Sequence, residues 1–318
     1  MAGVSRRSVL LGAAGAALLG TGYVAGAYAT ALGVARQRVA HTSQLTGTPF
    51  GALEYAIGGH GRPLLMVHGT GGGFDQGLRF GQSLMARGFE IIAPSRFGYL
   101  RSDFPSDPSP ARQADAFAIL LDHLGIERLP VAGGSAGALS AAQFALRHPG
   151  RCSALILLVP AMNLTGQDPV EFTPLQRFLV SRLLTSDAWF WLLSRTIPEQ
   201  LIGTLLATDP KLLGTVSPDE RERARLILRE IMPVSARTRG MLNDGYYSGS
   251  PADIDLAAIT APTLIVSAED DRFGTADTAR IITGRVASSR FVIYPTGGHI
   301  WLGRDDELAE EIAAFTGG

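Results

Sequence analysis

The sequence predicts an α/β chain built on a doubly wound, mostly parallel sheet with a helical cap inserted into it. Three observations predict this. Short apolar, β-prone runs alternate with helical patterns in the order β-α-β-α. Most of those runs are near-continuously apolar, as in parallel strands covered by helices on both faces. From about residue 162 to 259, helical patterns rich in Leu, Phe and Trp continue without a strand signal. Length is only a soft prior on domain count, but 318 residues are ample for a sizeable core.

In chain order, Ser5-Arg6-Arg7-Ser8-Val9-Leu10-Leu11 opens an Ala/Gly/Leu stretch that carries no charge until Arg36. A basic start followed by an apolar run is the layout of an export segment. The paired arginines resemble the twin-arginine export signal, which usually has phenylalanine at the position of Val9 and lysine at that of Leu11. Small residues at 25–29 offer cleavage sites, while the uncharged run from Ser8 to Ala35 exceeds the ~20 residues that span a bilayer. Residues 1–40 are therefore expected to be a removable export signal or an N-terminal anchor, and are set aside from the fold. Membrane contact through this segment is the corresponding partner expectation.

The strand runs are 64–67, 89–93, 129–132, 154–159, 263–266 and 290–294, and the helical patterns are 75–87, 111–124, 137–147, 276–286 and 305–315. Residues 41–161 and 260–318 are read as the core and 162–259 as the cap. Within the cap, Leu175–Leu193 and Asp219–Ile231 carry helical spacing. Phe178, Trp189, Phe190, Trp191 and Leu192 suggest an apolar lid, with ordinary packing favoured over substrate contact for any one of them.

Composition excludes several functions. With 28 basic and 29 acidic residues and no long basic run, the chain lacks the electrostatic footprint of a nucleic-acid binder. The single cysteine, Cys152, has no partner for a disulfide or a zinc spacing and reads as core filler.

Four segments carry chemistry. Gly133-Gly134-Ser135-Ala136-Gly137 fits the G-x-S-x-G nucleophile elbow. A chain with 38 glycines supplies such pentapeptides by chance, so context carries the weight. A strand pattern runs straight into it and a helix pattern follows, which is the setting an exposed serine needs, and its neighbours are all small. After strand 64–67 comes His68-Gly69-Thr70-Gly71-Gly72-Gly73. Such a loop can aim backbone N–H groups at a carbonyl oxygen gaining charge, each worth roughly 3 kcal/mol of barrier. Thr70 and Ala136 are the candidate oxyanion donors, and His68 is read as a support for the loop. A phosphate cradle is disfavoured because neither G-x-G-x-x-G nor a terminal Gly-Lys-Ser/Thr is present. Thr296-Gly297-Gly298-His299 follows the last strand and supplies the candidate base. His123 and His148 fall at helix ends, where capping or solvent-facing roles are the better reading. The acid is sought on Ala268-Glu269-Asp270-Asp271-Arg272, past strand 263–266, where the chain order Ser-Asp-His is kept. Asp271 is the choice and Asp270 the fallback.

Together these segments resemble the α/β-hydrolase superfamily over roughly residues 48–316, especially its capped esterase, lipase and haloperoxidase-like branch. The resemblance implies the α/β-hydrolase fold, no cofactor and a small-molecule substrate, and the sequence offers no metal-binding cluster. Pro262–Asp271 is similar to the family's strand after the cap, which implies Asp271 as the acid. Residues 93–102 resemble the family's Asp-x-x-Gly-x-Gly-x-Ser turn, with departures at Ser95 and Leu100. A serine at the elbow disfavours the branches that place aspartate there. The expected activity is hydrolysis of carboxylic esters with an apolar part, through an acyl-enzyme. Other acyl or C–C bond hydrolysis and cofactor-free perhydrolysis stand beside it, because fold and triad do not select the substrate. An inactive hydrolase-like binding protein is the reading from a different class, and would be expected to have lost at least one of these segments. Oligomeric state is left open.

Overall fold

The computed structural model describes residues 6–40, 42–164, 182, 185–252 and 254–317, with side chains from residue 22 onward. The apolar runs become the middle of the sheet: β3 (Arg62–Val67), β4 (Phe89–Pro94), β5 (Leu129–Gly134), β6 (Cys152–Leu158), β7 (Thr263–Ala268) and β8 (Ser289–Tyr294). Leu64–Val67, Ile91–Ala93 and Leu155–Leu157 are all fully buried, which is why these strands show no alternation. Two further strands, β1 (Gln44–Thr48) and β2 (Gly51–Gly59), form a hairpin that the sequence analysis did not anticipate. Among the described residues the sheet order is β1-β2-β4-β3-β5-β6-β7-β8, antiparallel through the first three strands and parallel across the rest.

Parallel neighbours need crossovers, and helices cover both faces. On one side α4 (Pro110–His123), α5 (Gly137–Arg147) and α10 (Thr275–Arg285) enclose a cluster centred on Phe117, Leu139, Phe144 and Ile282. Ser109 caps α4, accepting from the Arg112 amide at 3.3 Å, with Pro110 at the first helical position. On the other side lie α2 (Phe74–Phe80), α3 (Gln82–Met85) and α11 (Asp305–Phe315), with Phe74, Leu84, Leu308 and Ile312 in the core. The single helix expected over 75–87 is instead two short ones. At Gly81 the chain runs so close to β4 that a Cβ would lie 2.6 Å from Ile91 Cγ1.

The insertion is helical in its described part: α6 (Asp187–Thr196), α7 (Pro198–Leu205), α8 (Pro218–Arg229) and α9 (Thr238–Gly249), with 3₁₀ turns and no strand. Phe190 and Trp191 pack inside it, while Trp189 and Leu192 are exposed. Phe178 and much of the stretch 175–193 lie outside the described residues. Met162, Leu164, Leu256 and Ile259, at the ends of the range assigned to the cap, pack into the core cluster instead.

Setting residues 1–40 aside from the fold requires correction. Residues 6–40 form helix α1 (Arg6–Ala40), whose C-terminal half is integral to the packing. Leu32 and Ala35 pack in the cap cluster, Val39 packs against the core, and Tyr28 meets Trp191 edge-on at 5.6 Å. Among the described residues, no helix is long and apolar enough to cross a membrane.

Candidate active site

The sheet delivers its functional groups at the carboxyl ends of its strands, where the loops are free to vary. β5 ends at Gly134, and α5 starts at Gly137. Ser135, between them, has φ 53°, a left-handed backbone costing a non-glycine residue about 1–2 kcal/mol. Packing imposes it. The Ser135 amide donates to Leu158 O at 2.9 Å, and its carbonyl accepts from the Ala138 and Ala161 amides. The turn can be this tight because its flanks lack side chains: a Cβ on Gly137 would fall 2.4 Å from His68 O, and one on Gly133 2.7 Å from Gly137 O. The strain leaves Ser135 Oγ partly accessible at the N-terminus of α5.

The structure brings the three sequence-chosen side chains together. Ser135 Oγ lies 2.8 Å from His299 Nε2, and His299 Nδ1 lies 2.8 Å from Asp271 Oδ2. A carboxylate only accepts, so Nδ1 carries a proton and donates to it, leaving Nε2 to accept from the serine hydroxyl. His299 and Asp271 are buried. Burial pushes the Asp271 carboxyl up. The charge of His299 and hydrogen bonds from His299, Thr275 and the Phe273 amide more than reverse this, holding it below the usual carboxylate range. Asp270 has a different partner: its Oδ1 accepts from the Gly298 amide at 2.8 Å and so braces the loop that carries His299. The Phe273 ring stands edge-on to the imidazole at 4.9 Å.

Thr70 and Ala136 lie on the two loops that flank Ser135. Gly69 is close enough that a Cβ on it would sit 3.0 Å from Ser135 Cβ. Ala136 is the first residue past the serine and caps α5, whose N-terminal dipole favours negative charge beside it. Among the described residues, neither the Thr70 nor the Ala136 amide has an acceptor. His68 supports the loop as expected. Its Nε2 accepts from the Arg96 amide at 2.9 Å, and its Nδ1 donates to Gly69 O at 2.7 Å. Burial, then the Arg96 charge, lowers its pKa well below the ordinary value, which keeps the ring neutral.

Several residues that hold this loop were not foreseen. Arg237, fully buried, donates to Gly72 O, to both oxygens of Asp75 and to Glu230 O. Arg38 from α1 reaches the same Asp75 and the carbonyls of Glu230 and Met232. Burial pushes the Asp75 carboxyl up, and the two guanidinium groups outweigh it, bringing it down to about 2. Arg96 forms a bidentate pair with Asp244 of α9, at 2.5 and 2.6 Å. The same carboxylate accepts from Tyr99 Oη at 2.5 Å and Thr70 Oγ1 at 3.0 Å. These cross-chain pairs leave no periodic signal.

Among the described residues, no cluster of His, Cys, Asp and Glu has the arrangement of a metal site. Cys152 is buried, and burial pushes its thiol up to about 12, which makes it inert.

Comparison with known proteins agrees with this architecture. A family model described as alpha/beta hydrolase fold matches residues 62–303. A hydrolase of Bacillus subtilis (strain 168) is 29% identical over 275 residues, covering 80% of this chain and 91% of that protein. The 2-hydroxy-6-oxo-6-phenylhexa-2,4-dienoate hydrolase of Burkholderia cepacia is 26% identical over 252 residues, covering 76% and 82% respectively. Among solved structures, an alpha/beta hydrolase fold protein from Nakamurella multipartita aligns with a TM-score of 0.71 at 26% identity, over 86% of this chain and 98% of that one.

Proposed function

From the premise that this chain belongs to the α/β-hydrolase family, we propose that it is a serine hydrolase of carboxylic esters with an apolar acyl or alcohol part. The observation that carries the reading is the continuous hydrogen-bonded line from Ser135 through His299 to Asp271. In this reading Ser135 Oγ attacks the ester carbonyl carbon while its proton passes to His299 Nε2. The carbonyl oxygen takes the electron pair and is stabilised by the Thr70 and Ala136 amides. Collapse breaks the bond to the alcohol, which leaves with the proton from His299. Water, giving a proton to His299, then attacks the acyl carbon, and the Oγ–C bond breaks as Ser135 regains its proton. Asp271 keeps the imidazole in the required tautomer and offsets the charge of its protonated form.

A second reading is hydrolysis of a C–C bond beside a carbonyl, favoured by the relatives named as dienoate hydrolases. Esters are preferred here because Arg96 and Arg237, the cations buried beside the oxyanion loop, are each already paired with a carboxylate. A substrate carboxylate would have to compete with Asp244 or Asp75 for them. The test is turnover of p-nitrophenyl esters and of a 2-hydroxy-6-oxo-dienoate by the wild type and by Ser135→Ala, with fluorophosphonate labelling of both. The reading expects ester turnover and labelling that depend on Ser135. Equal rates in the two proteins would discard the triad, dienoate turnover alone would transfer the assignment to the C–C reaction, and an unlabelled, inactive wild type would leave a binding protein.

The arginine-led apolar stretch at residues 6–35 supports a location at or beyond the cytoplasmic membrane. Cell fractionation tests this, and full-length chain recovered wholly in the soluble cytoplasm would overturn it.

A further inference from the structure

Resting on the hydrolase reading, we propose that Asp244 of cap helix α9 is a positioning residue that sets the oxyanion loop through the hydroxyl of Thr70. The loop has a conformational problem to solve. Gly69, Gly71, Gly72 and Gly73 flank Thr70, and glycine loses more backbone freedom on ordering than any other residue. An amide useful in a transition state must nevertheless be fixed before the reaction begins.

Thr70 is the one residue of this run whose side chain can be gripped, and Asp244 grips it. Thr70 has a single hydroxyl proton, and its Oγ1 lies 3.0 Å from Asp244 Oδ2. The carboxylate only accepts, so that proton points at Asp244. The hydroxyl is therefore committed to the anchor, and Thr70 is left to serve the reacting oxygen with its backbone N–H alone.

Asp244 is itself immobilised. It is 4% exposed and held in bidentate fashion by Arg96, with Tyr99 donating to the same Oδ2. Burial, then the Asp244 charge, pushes the Tyr99 phenol well above its ordinary value, so it stays a donor to the carboxylate. Its oxygen in turn accepts from the Gly71 amide at 3.4 Å, and the Arg96 amide donates to His68 Nε2. One carboxylate on the cap thus governs the loop at 70 directly and at 68 and 71 through one intermediary each. The competence of the oxyanion loop depends on where α9 places that carboxylate, which links the cap to the chemistry through Asp244.

The test uses Thr70→Val, which keeps the shape and the backbone amide while deleting the hydroxyl. This avoids stranding Arg96, as Asp244→Asn would. Thr70→Val is expected to lower kcat roughly tenfold, short of the hundredfold or more that follows removal of an oxyanion donor itself, with KM changed less than twofold. Affinity for a trifluoromethyl ketone, which binds as a charged tetrahedral adduct, should fall by the same factor as kcat/KM. Thr70→Ser should recover most of both losses. In the Thr70→Val background, Asp244→Asn should cost roughly tenfold less kcat than it does alone, the remaining loss being the part carried through Arg96 and Tyr99. A Thr70→Val enzyme with wild-type kcat and ketone affinity overturns the proposal. So does a loss confined to the unfolding midpoint. Absence of ester turnover and labelling in the wild type would instead remove the hydrolase reading beneath it.

Discussion

Two adjacent carboxylates at the end of β7 divide the work around one histidine. Asp271 faces the imidazole, and Asp270 faces the backbone that carries it. Replacing Asp271 with Asn substitutes an amide for the acceptor and favours the wrong tautomer, so kcat is expected to fall by about 10⁴-fold while ester KM stays near wild type. Asp270→Asn leaves the imidazole's partner in place and weakens one bond to Gly298, and a loss of about tenfold or less is expected, in the range of a modestly displaced catalytic group. Steady-state kinetics on the pair of variants checks the division, and a reversal of the two losses would give the acid role to Asp270. At this scale the sequence was most legible where chemistry demands a residue type at a topological position: Ser135 in its elbow, His299 after the last strand. The choice between 270 and 271 came from family likeness, because one residue of register on a loop decides it. Leu100 shows the converse. It departs from the family's glycine, yet holds φ 52° with its amide on Ala236 O at 2.7 Å, so a tertiary contact sustains the conformation without the residue that usually permits it.

Among elements, α1 departs furthest from its sequence reading. Its apolar run looks uniform, and nothing in the pattern shows that the stretch ending in Arg38 and Val39 docks while the start reads as a leader. What distinguishes it is long-range: Arg38 finds a carboxylate 37 residues away and carbonyls nearly 200 residues away. A chain beginning at residue 26 keeps Ala27, Tyr28, Leu32, Ala35, Arg38 and Val39, and should retain the unfolding midpoint and ester kcat/KM of the full chain. A chain beginning at residue 41 loses that buried apolar surface and one of the two cations on Asp75. A deficit of several kcal/mol is expected, or roughly 10 °C in midpoint. Thermal unfolding of the two truncations checks this, and equal midpoints would show α1 to be a passive tether. β1 and β2 escaped notice for a related reason. β1 is the edge strand and mostly exposed, while β2, paired between β1 and β4, buries only Leu53–Ala56, with a carboxylate at Glu54 and glycines at 51, 58 and 59, so neither an apolar run nor clean alternation marks them.

At the scale of the whole molecule, layer order and crossover pattern were readable because burial on both faces of a parallel sheet writes itself into composition, whereas the joint between cap and core was not, because individual ion pairs form it beside apolar contacts of Tyr99, Ile300 and Leu302 with the cap helices. Arg237 to Asp75, Arg96 to Asp244 and Arg79 to Glu230 each cross that joint. The two buried pairs, Arg237 to Asp75 and Arg96 to Asp244, add little net stability when intact, but removing one partner leaves an uncompensated charge at about 3–5 kcal/mol. The consequence is cooperative: while the pairs hold, the cap cannot leave without stranding charges in the core, so cap and core should unfold together. The tryptophans report on this, since Trp189 and Trp191 lie in the cap and Trp301 beside the sheet. In denaturant, the wild type should give coincident transitions by tryptophan fluorescence and far-UV circular dichroism. Arg237→Met removes the guanidinium that joins Gly72, Asp75 and Glu230 at once, and in Trp301→Phe protein, where only the cap tryptophans remain, its fluorescence transition should move ahead of the dichroism. If the cap signal already precedes the dichroism in Trp301→Phe protein with Arg237 intact, the two parts are independent and the ion pairs across the joint do not couple them.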